Sequence, residues 1–264
     1  MSRVVVKRVW KAYDATSVLE NLDLEVESGS FITIVGASGC GKTTFLRLLL
    51  GEEAPSSGTI TVDGAALMAE PSPERGIVFQ QYSVYPHLSV VENAVLGLEF
   101  RQSRLLGRLC GARRRRALER AESLLQAVGL AHVRNAMPAT LSGGMQQRLA
   151  IAQALIVEPR MLLLDEPFGA LDQGMRNDMH ELVTALWRAT RMTVFMVTHD
   201  IREAFKLGTR VLTFDKVRID PHEPDAHGAT ITYDLAGYNR LVPHEQEAAC
   251  TPITGPGGRA PATS

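Results

Sequence analysis

The segment that most constrains this chain is FITIVG at 31–36, which runs directly into GASGCGKTT at 36–44. A short apolar run ending at glycines reads as a buried parallel strand. TTFLRLLL at 43–50 reads as a helix, closed by Gly51. Between them, Gly36, Gly41, Lys42 and Thr43 occupy the fixed positions of G-x-x-x-x-G-K-[ST]. Glycines let backbone N–H groups turn inward around phosphate oxygens, and the helix N-terminus adds free donors and partial positive charge. The loop therefore predicts nucleotide binding through Gly36, Ala37, Ser38, Gly39, Cys40, Gly41, Lys42, Thr43 and Thr44. Lys42 would reach the β- and γ-phosphates of ATP, and Thr43 would offer its hydroxyl to Mg2+. Cys40 reads either as a thiol activated by the helix N-terminus or as a small residue that fits the loop.

MLLLDEP at 161–167 places two acids directly after another apolar strand. Phosphoryl transfer needs positioning and charge compensation more than covalent chemistry. Asp165 is accordingly a candidate Mg2+ ligand, and Glu166 a candidate for polarising the attacking water. LSGGMQQR at 141–148 opens a further helix, with Ser142 as N-cap and Gly143 and Gly144 exposing backbone N–H groups. One bound ATP does not need two such anion sites from one chain, but a dimer does, each copy offering its helix to the nucleotide of the other.

Further strands are expected at 3–9, 22–26, 57–64, 77–80, 193–200 and 210–214, and helices at 113–129 and 174–190. Ser89 with Glu92 forms a capping pattern for a helix through Phe100. This order predicts a largely parallel sheet wrapped by helices, with a helical lobe at about 88–158. Residues 216–264 are rich in Pro, Gly, His and Ala. ATITYDL at 229–235 could add an edge strand, and disorder is expected from about 243.

LSGGMQQ, about a hundred residues after the phosphate loop and shortly before LLLDEP, resembles the signature of ABC-type ATPases, and the resemblance spans roughly 4–215. It implies an α/β P-loop fold: a mostly parallel core, an N-terminal antiparallel β portion and an inserted helical subdomain, the ATPase domain covering 1–215. It also implies roles. Tyr13 corresponds to the aromatic that stacks on adenine. Gln80 corresponds to the glutamine that contacts Mg2+ and the attacking water and senses the membrane partner. His199 corresponds to the histidine at the γ-phosphate, and Asp172 lies in the dimer-interface loop GALD. Ser142, Gly143, Gly144 and Gln146 belong to the signature that meets the partner copy's ATP. No motif position is degenerate, so both sites of a homodimer should hydrolyse ATP.

DEPFGALD, the stretch at 78–100 and the overall length are similar to importers of the nitrate, sulfonate and taurine group. That similarity implies a separate transmembrane permease, an extracytoplasmic solute-binding protein acting indirectly, and a peripheral position on the cytoplasmic face of the inner membrane. It implies as cargo a small anionic or nitrogen- or sulfur-containing solute, selected by other subunits. Tyr82, Val84, Tyr85, Pro86 and Leu88 read either as a partner groove or as lobe core. The competing functions are an exporter or lipid-extraction ATPase, a soluble ABC ATPase, and a nucleotide-binding regulator.

Composition agrees with a folded ATPase. Apolar residues make up 45% and charged residues 22%, and the net charge of −1 gives no global sign of nucleic-acid binding. None is expected as a partner. The three cysteines are too scattered for a disulfide framework or zinc site. No run is long enough to cross a membrane. About fifty residues follow Phe214, too few for a further regulatory domain. Segment 101–120 holds eight arginines and one acid. It reads as a solvated basic face or as a contact for anionic lipid or an acidic permease loop.

Overall fold

The computed structural model describes residues 2–79, 84–102, 109–169, 171–218 and 227–237. Strands β1 (Val4–Tyr13) and β2 (Thr16–Val26) form an antiparallel hairpin that turns at Asp14, whose φ is 49°. Both run further than their hydrophobic pattern indicates. Register shifts along β1 break the alternation, and Arg8 and Asn21 hold positive φ within the strands. After β3 (Phe31–Gly36) and α1 (Lys42–Leu50), the chain returns to this sheet through β4 (Ser57–Val62) and β5 (Ala65–Ala66). The resulting four-stranded antiparallel sheet has the order β2-β1-β4-β5.

The second sheet carries the site. Its strands are β3, β6 (Arg75–Val78), β7 (Met161–Asp165), β8 (Thr193–Val197), β9 (Arg210–Asp215) and β10 (Thr230–Ala236). The order is β10-β9-β3-β8-β7-β6. All neighbours are parallel except β10, which pairs antiparallel with β9 as the edge strand. Side chains on the central strands alternate between two cores. Ile32, Ile34, Met161, Leu163, Phe195 and Val197 face the first sheet and α1. Phe31, Leu162, Leu164, Val194 and Met196 face the helices behind. Burying each such side chain contributes on the order of 1.5–3 kcal/mol.

Helices α2 (Val90–Gln102), α3 (Gly111–Ala127) and α4 (Gly143–Leu155) share a separate hydrophobic cluster. The Ser89–Glu92 capping box starts α2: the Ser89 N–H donates to Glu92 Oε2 at 2.9 Å, and the Glu92 N–H to Ser89 Oγ at 3.4 Å. Buried Asn93 ties the preceding loop down, its side chain bonding both the N–H and the carbonyl of Tyr85 and accepting from Gln153. Helices α5 (Gln173–Thr190) and α6 (Ile201–Leu207) complete the fold. Among the described residues no helix is long and apolar enough to cross a membrane.

Candidate functional site

Because β3, β8 and β7 are adjacent and parallel, the segments that follow their C-terminal ends emerge along one edge of the sheet. The phosphate loop follows β3, the Thr198–Asp200 segment follows β8, and Glu166 follows β7. Residues far apart in sequence are thereby gathered into one constellation.

The loop owes its shape to its glycines. Gly41 sits immediately before α1 at φ 85° and ψ 10°, a left-handed conformation with no side-chain cap. A Cβ there would lie 2.7 Å from Leu19 Cδ2 and 2.9 Å from Val18 Cγ1. A Cβ on Gly36 would meet the Phe214 carbonyl oxygen at 2.2 Å and Cys40 Sγ at 2.8 Å. Cys40 is thus the small residue packed beneath the loop. Burial pushes its thiol pKa up, and the nearby Lys42 charge only partly opposes this. The Lys42 ammonium curls back over the loop and donates to the carbonyls of Gly36 (2.8 Å) and Ala37 (2.7 Å).

The Thr43 hydroxyl donates to Asp165 Oδ1 at 3.3 Å. Asp165 is buried, and desolvation raises its carboxyl pKa despite the Thr43 bond that pulls the other way. Glu166 has φ 45°, a left-handed conformation that costs a non-glycine residue about 1–3 kcal/mol. Its N–H donates to the Val197 carbonyl at 3.0 Å, and its carboxylate lies 3.5 Å from Nδ1 of His199, which is largely exposed.

Tyr13, at the end of β1, reaches the segment just after α1. Its hydroxyl hydrogen-bonds Glu53, and Lys11 Nζ stands 4.7 Å above its ring. Lys11 and Glu53 pair at 2.9 Å, holding the half-exposed ring in place. Neither partner stands out in the sequence, since nothing local links β1 to the end of α1.

The signature helix α4 begins at Ser142, whose Oγ accepts from the Met145 N–H at 3.3 Å. Gln146 Nε2 donates back to the Pro138 carbonyl at 3.0 Å. Gly144 packs on α5, where an added Cβ would lie 2.8 Å from Met175 Sδ. An added Cβ on Gly143 would meet no atom within 4 Å, so this end of the helix is open. Asp172 caps α5 by accepting from the Met175 N–H at 3.0 Å. Gln80 and Tyr82 lie outside the described residues. Of the remaining aromatic stretch, Val84 joins the hydrophobic cores, while Tyr85 stays 42% exposed beside a cavity of about 230 Å3. The stretch is therefore part core and part surface.

Residues 19–169 match the model of the ABC transporter family, and the chain belongs to that family. It is an ABC ATPase of α/β P-loop fold. Within the family it resembles the aliphatic sulfonates import ATP-binding protein SsuB of Pseudomonas putida, at 40% identity over 95% of this chain and 86% of the relative. It also resembles the nitrate import ATP-binding protein NrtD of Synechocystis, at 42% identity over 73% and 69% of the two chains. Among solved structures, the dimeric bacterial ABC transporter cassette MJ0796 aligns with TM-score 0.72 and 30% identity, covering 88% of this chain and 98% of that one. The same cassette in a post-hydrolysis state bound to ADP and Pi aligns with TM-score 0.70 and 31% identity over the same shares.

Proposed function

We propose that this chain is the energy-coupling ATPase of an importer, working as a homodimer beneath a transmembrane permease on the cytoplasmic face of the inner membrane. The observation that carries the reading is the single sheet edge shared by Lys42, Thr43, Asp165, Glu166 and His199. A second helix N-terminus, at Ser142 and Gly143, stays open for another copy's nucleotide.

In this reading ATP lies on the phosphate loop. Its phosphates draw Lys42 off the Gly36 and Ala37 carbonyls, and Tyr13 supports the adenine. Thr43 and Asp165 fit Mg2+: both are hard oxygen donors, already side by side. Among the described residues there is no cluster of three His, Cys, Asp or Glu. When bound, Mg2+ neutralises charge on the phosphates during transfer. Glu166 orients and polarises the attacking water, and His199 steadies the γ-phosphate next to it. Ser142, Gly143 and Gly144 of the partner copy close the site, with Gln146 positioned alongside. Gln80 is assigned to sensing the water, the ion and the permease.

Import, rather than export, is supported by the sulfonate and nitrate relatives, and the dimer by the dimeric cassette. The cargo class is a small oxyanion such as a sulfonate or nitrate, delivered by an extracytoplasmic binding protein. The cavity lined by Phe79, Tyr85, Leu96 and Phe100 is the docking groove for the permease. Co-expression with a tagged cognate permease tests this. The chain should be retained on the solubilised permease, with ATPase activity that responds to the cargo-loaded binding protein. A chain that stays unpartnered, with ATPase indifferent to permease, contradicts the importer reading.

A further inference from the structure

Behind the candidate catalytic edge lies a buried polar cluster that none of the sequence motifs accounts for. Glu203, on the first turn of α6, and His180, in the middle of α5, are 5% and 4% exposed. Their side chains meet at 2.6 Å, Nε2 to Oε1. The other oxygen of Glu203 accepts from the Thr198 hydroxyl. That same hydroxyl accepts from the Asp200 N–H at 3.1 Å. Thr198 therefore bridges His199, tying the Asp200 N–H beyond it to the Glu203 carboxylate. A charge-accepted hydrogen bond in a dry interior is among the stronger ones a protein makes.

The other half of the cluster reaches the Glu166 segment. The His180 ring stands edge-on to Phe168 at 5.0 Å between centroids, at an interplanar angle of 71°. Phe168 is 1% exposed and lies two residues beyond Glu166. Among the described residues His180 Nδ1 has no hydrogen-bond partner, and Nε2 is the ring nitrogen that faces Glu203. One carboxylate and one imidazole thus connect the two segments whose side chains stand 3.5 Å apart at the candidate site.

We propose that Thr198, Glu203 and His180 are positioning residues for hydrolysis, setting the placement of His199 relative to Glu166 without touching the nucleotide. The inference rests on the assignment of Glu166 and His199 to hydrolysis. Misplacing a reacting group by about 1 Å costs up to about 10²-fold in rate while leaving binding intact. The reaction should therefore slow without loss of ATP affinity.

The test uses the full chain with Mg-ATP varied up to saturation. Thr198→Val keeps the shape and removes both hydrogen bonds, and should lower kcat about tenfold with KM for ATP within about twofold. Thr198→Ser restores the hydroxyl and should bring kcat back to within about threefold of the parent. Should Thr198→Val fail to fold by circular dichroism, Glu203→Gln, which replaces the charged acceptor with a neutral one of the same shape, should lower kcat at least threefold at unchanged KM. Parent-like kcat in the informative variant overturns the proposal. So does a loss that Thr198→Ser fails to recover, or one that appears as raised KM. Glu166→Gln and His199→Ala run alongside. If both hydrolyse normally, the underlying catalytic assignment has failed; if both are impaired and Thr198→Val is normal, only the positioning inference has failed.

Discussion

Replacing Gly41 by alanine separates two costs that the phosphate loop imposes on its sequence. Gly41 is left-handed, and an L-residue with a Cβ there costs roughly 1–2 kcal/mol. Its Cβ would also sit 2.7 Å from Leu19 Cδ2, 2.9 Å from Val18 Cγ1 and 3.1 Å from the Val18 carbonyl oxygen. Leu19 is fully buried, so the Leu19 and Val18 side chains must repack, an overpacking cost of about 1–3 kcal/mol. Together these come to about 2–5 kcal/mol, or roughly 4–20 °C in melting temperature for a domain of about this size. Gly39 supplies the control. Its φ is 77°, yet an added Cβ would meet nothing within 4 Å. Gly39→Ala carries only the backbone cost, about 2–8 °C. The assay is thermal unfolding without nucleotide, followed by circular dichroism. If Gly41→Ala melts within 1 °C of the parent, the conformational argument fails. If the two variants melt alike, the contact with β2 contributes nothing.

Two further outcomes follow from the site. Desolvation raises the Asp165 pKa in the folded state, so between the ordinary carboxylate value and the raised one the folded protein binds more protons than the unfolded. Stability therefore falls as pH rises through that window, and the penalty is fully present above the raised value. Asp165→Asn should abolish ATPase yet raise the nucleotide-free melting temperature at pH 7, with the difference from the parent shrinking on acidification; a lower melting temperature at pH 7 contradicts this. Ser142→Ala removes the α4 cap, costing about 1 kcal/mol. It should reduce ATPase in the dimer while leaving ATP affinity of the isolated chain unchanged; undiminished ATPase removes the signature from the composite site.

Local pattern made β3, α1, β7 and the start of α4 legible, because strand, glycines and cap are contiguous there. The hairpin ends were harder to read. β1 and β2 are shifted in register and carry polar residues up to Tyr13, so their hydrophobic alternation stops before the strands do. Helix α6 has only seven residues, and its one local signal is Asp200, which accepts from the Arg202 and Glu203 N–H groups. The candidate residues could be named from their motifs, but their supports could not. Glu53 beneath Tyr13 and His180 beneath Glu203 are distant in sequence from the residues they support, and only packing brings them into contact. The choice between an activated and a packed Cys40 also required the structure, since burial outweighs the Lys42 charge there.

The central claim is that Glu166 drives hydrolysis in a site completed by a second copy. Glu166→Gln keeps the shape of the residue beside His199 and removes its capacity as a base. Steady-state ATPase at saturating Mg-ATP should fall about 10²-fold or more. Because ATP then persists, the variant should elute as a dimer in ATP and as a monomer without it. Undiminished turnover, or a variant that binds ATP yet stays monomeric, would contradict the account.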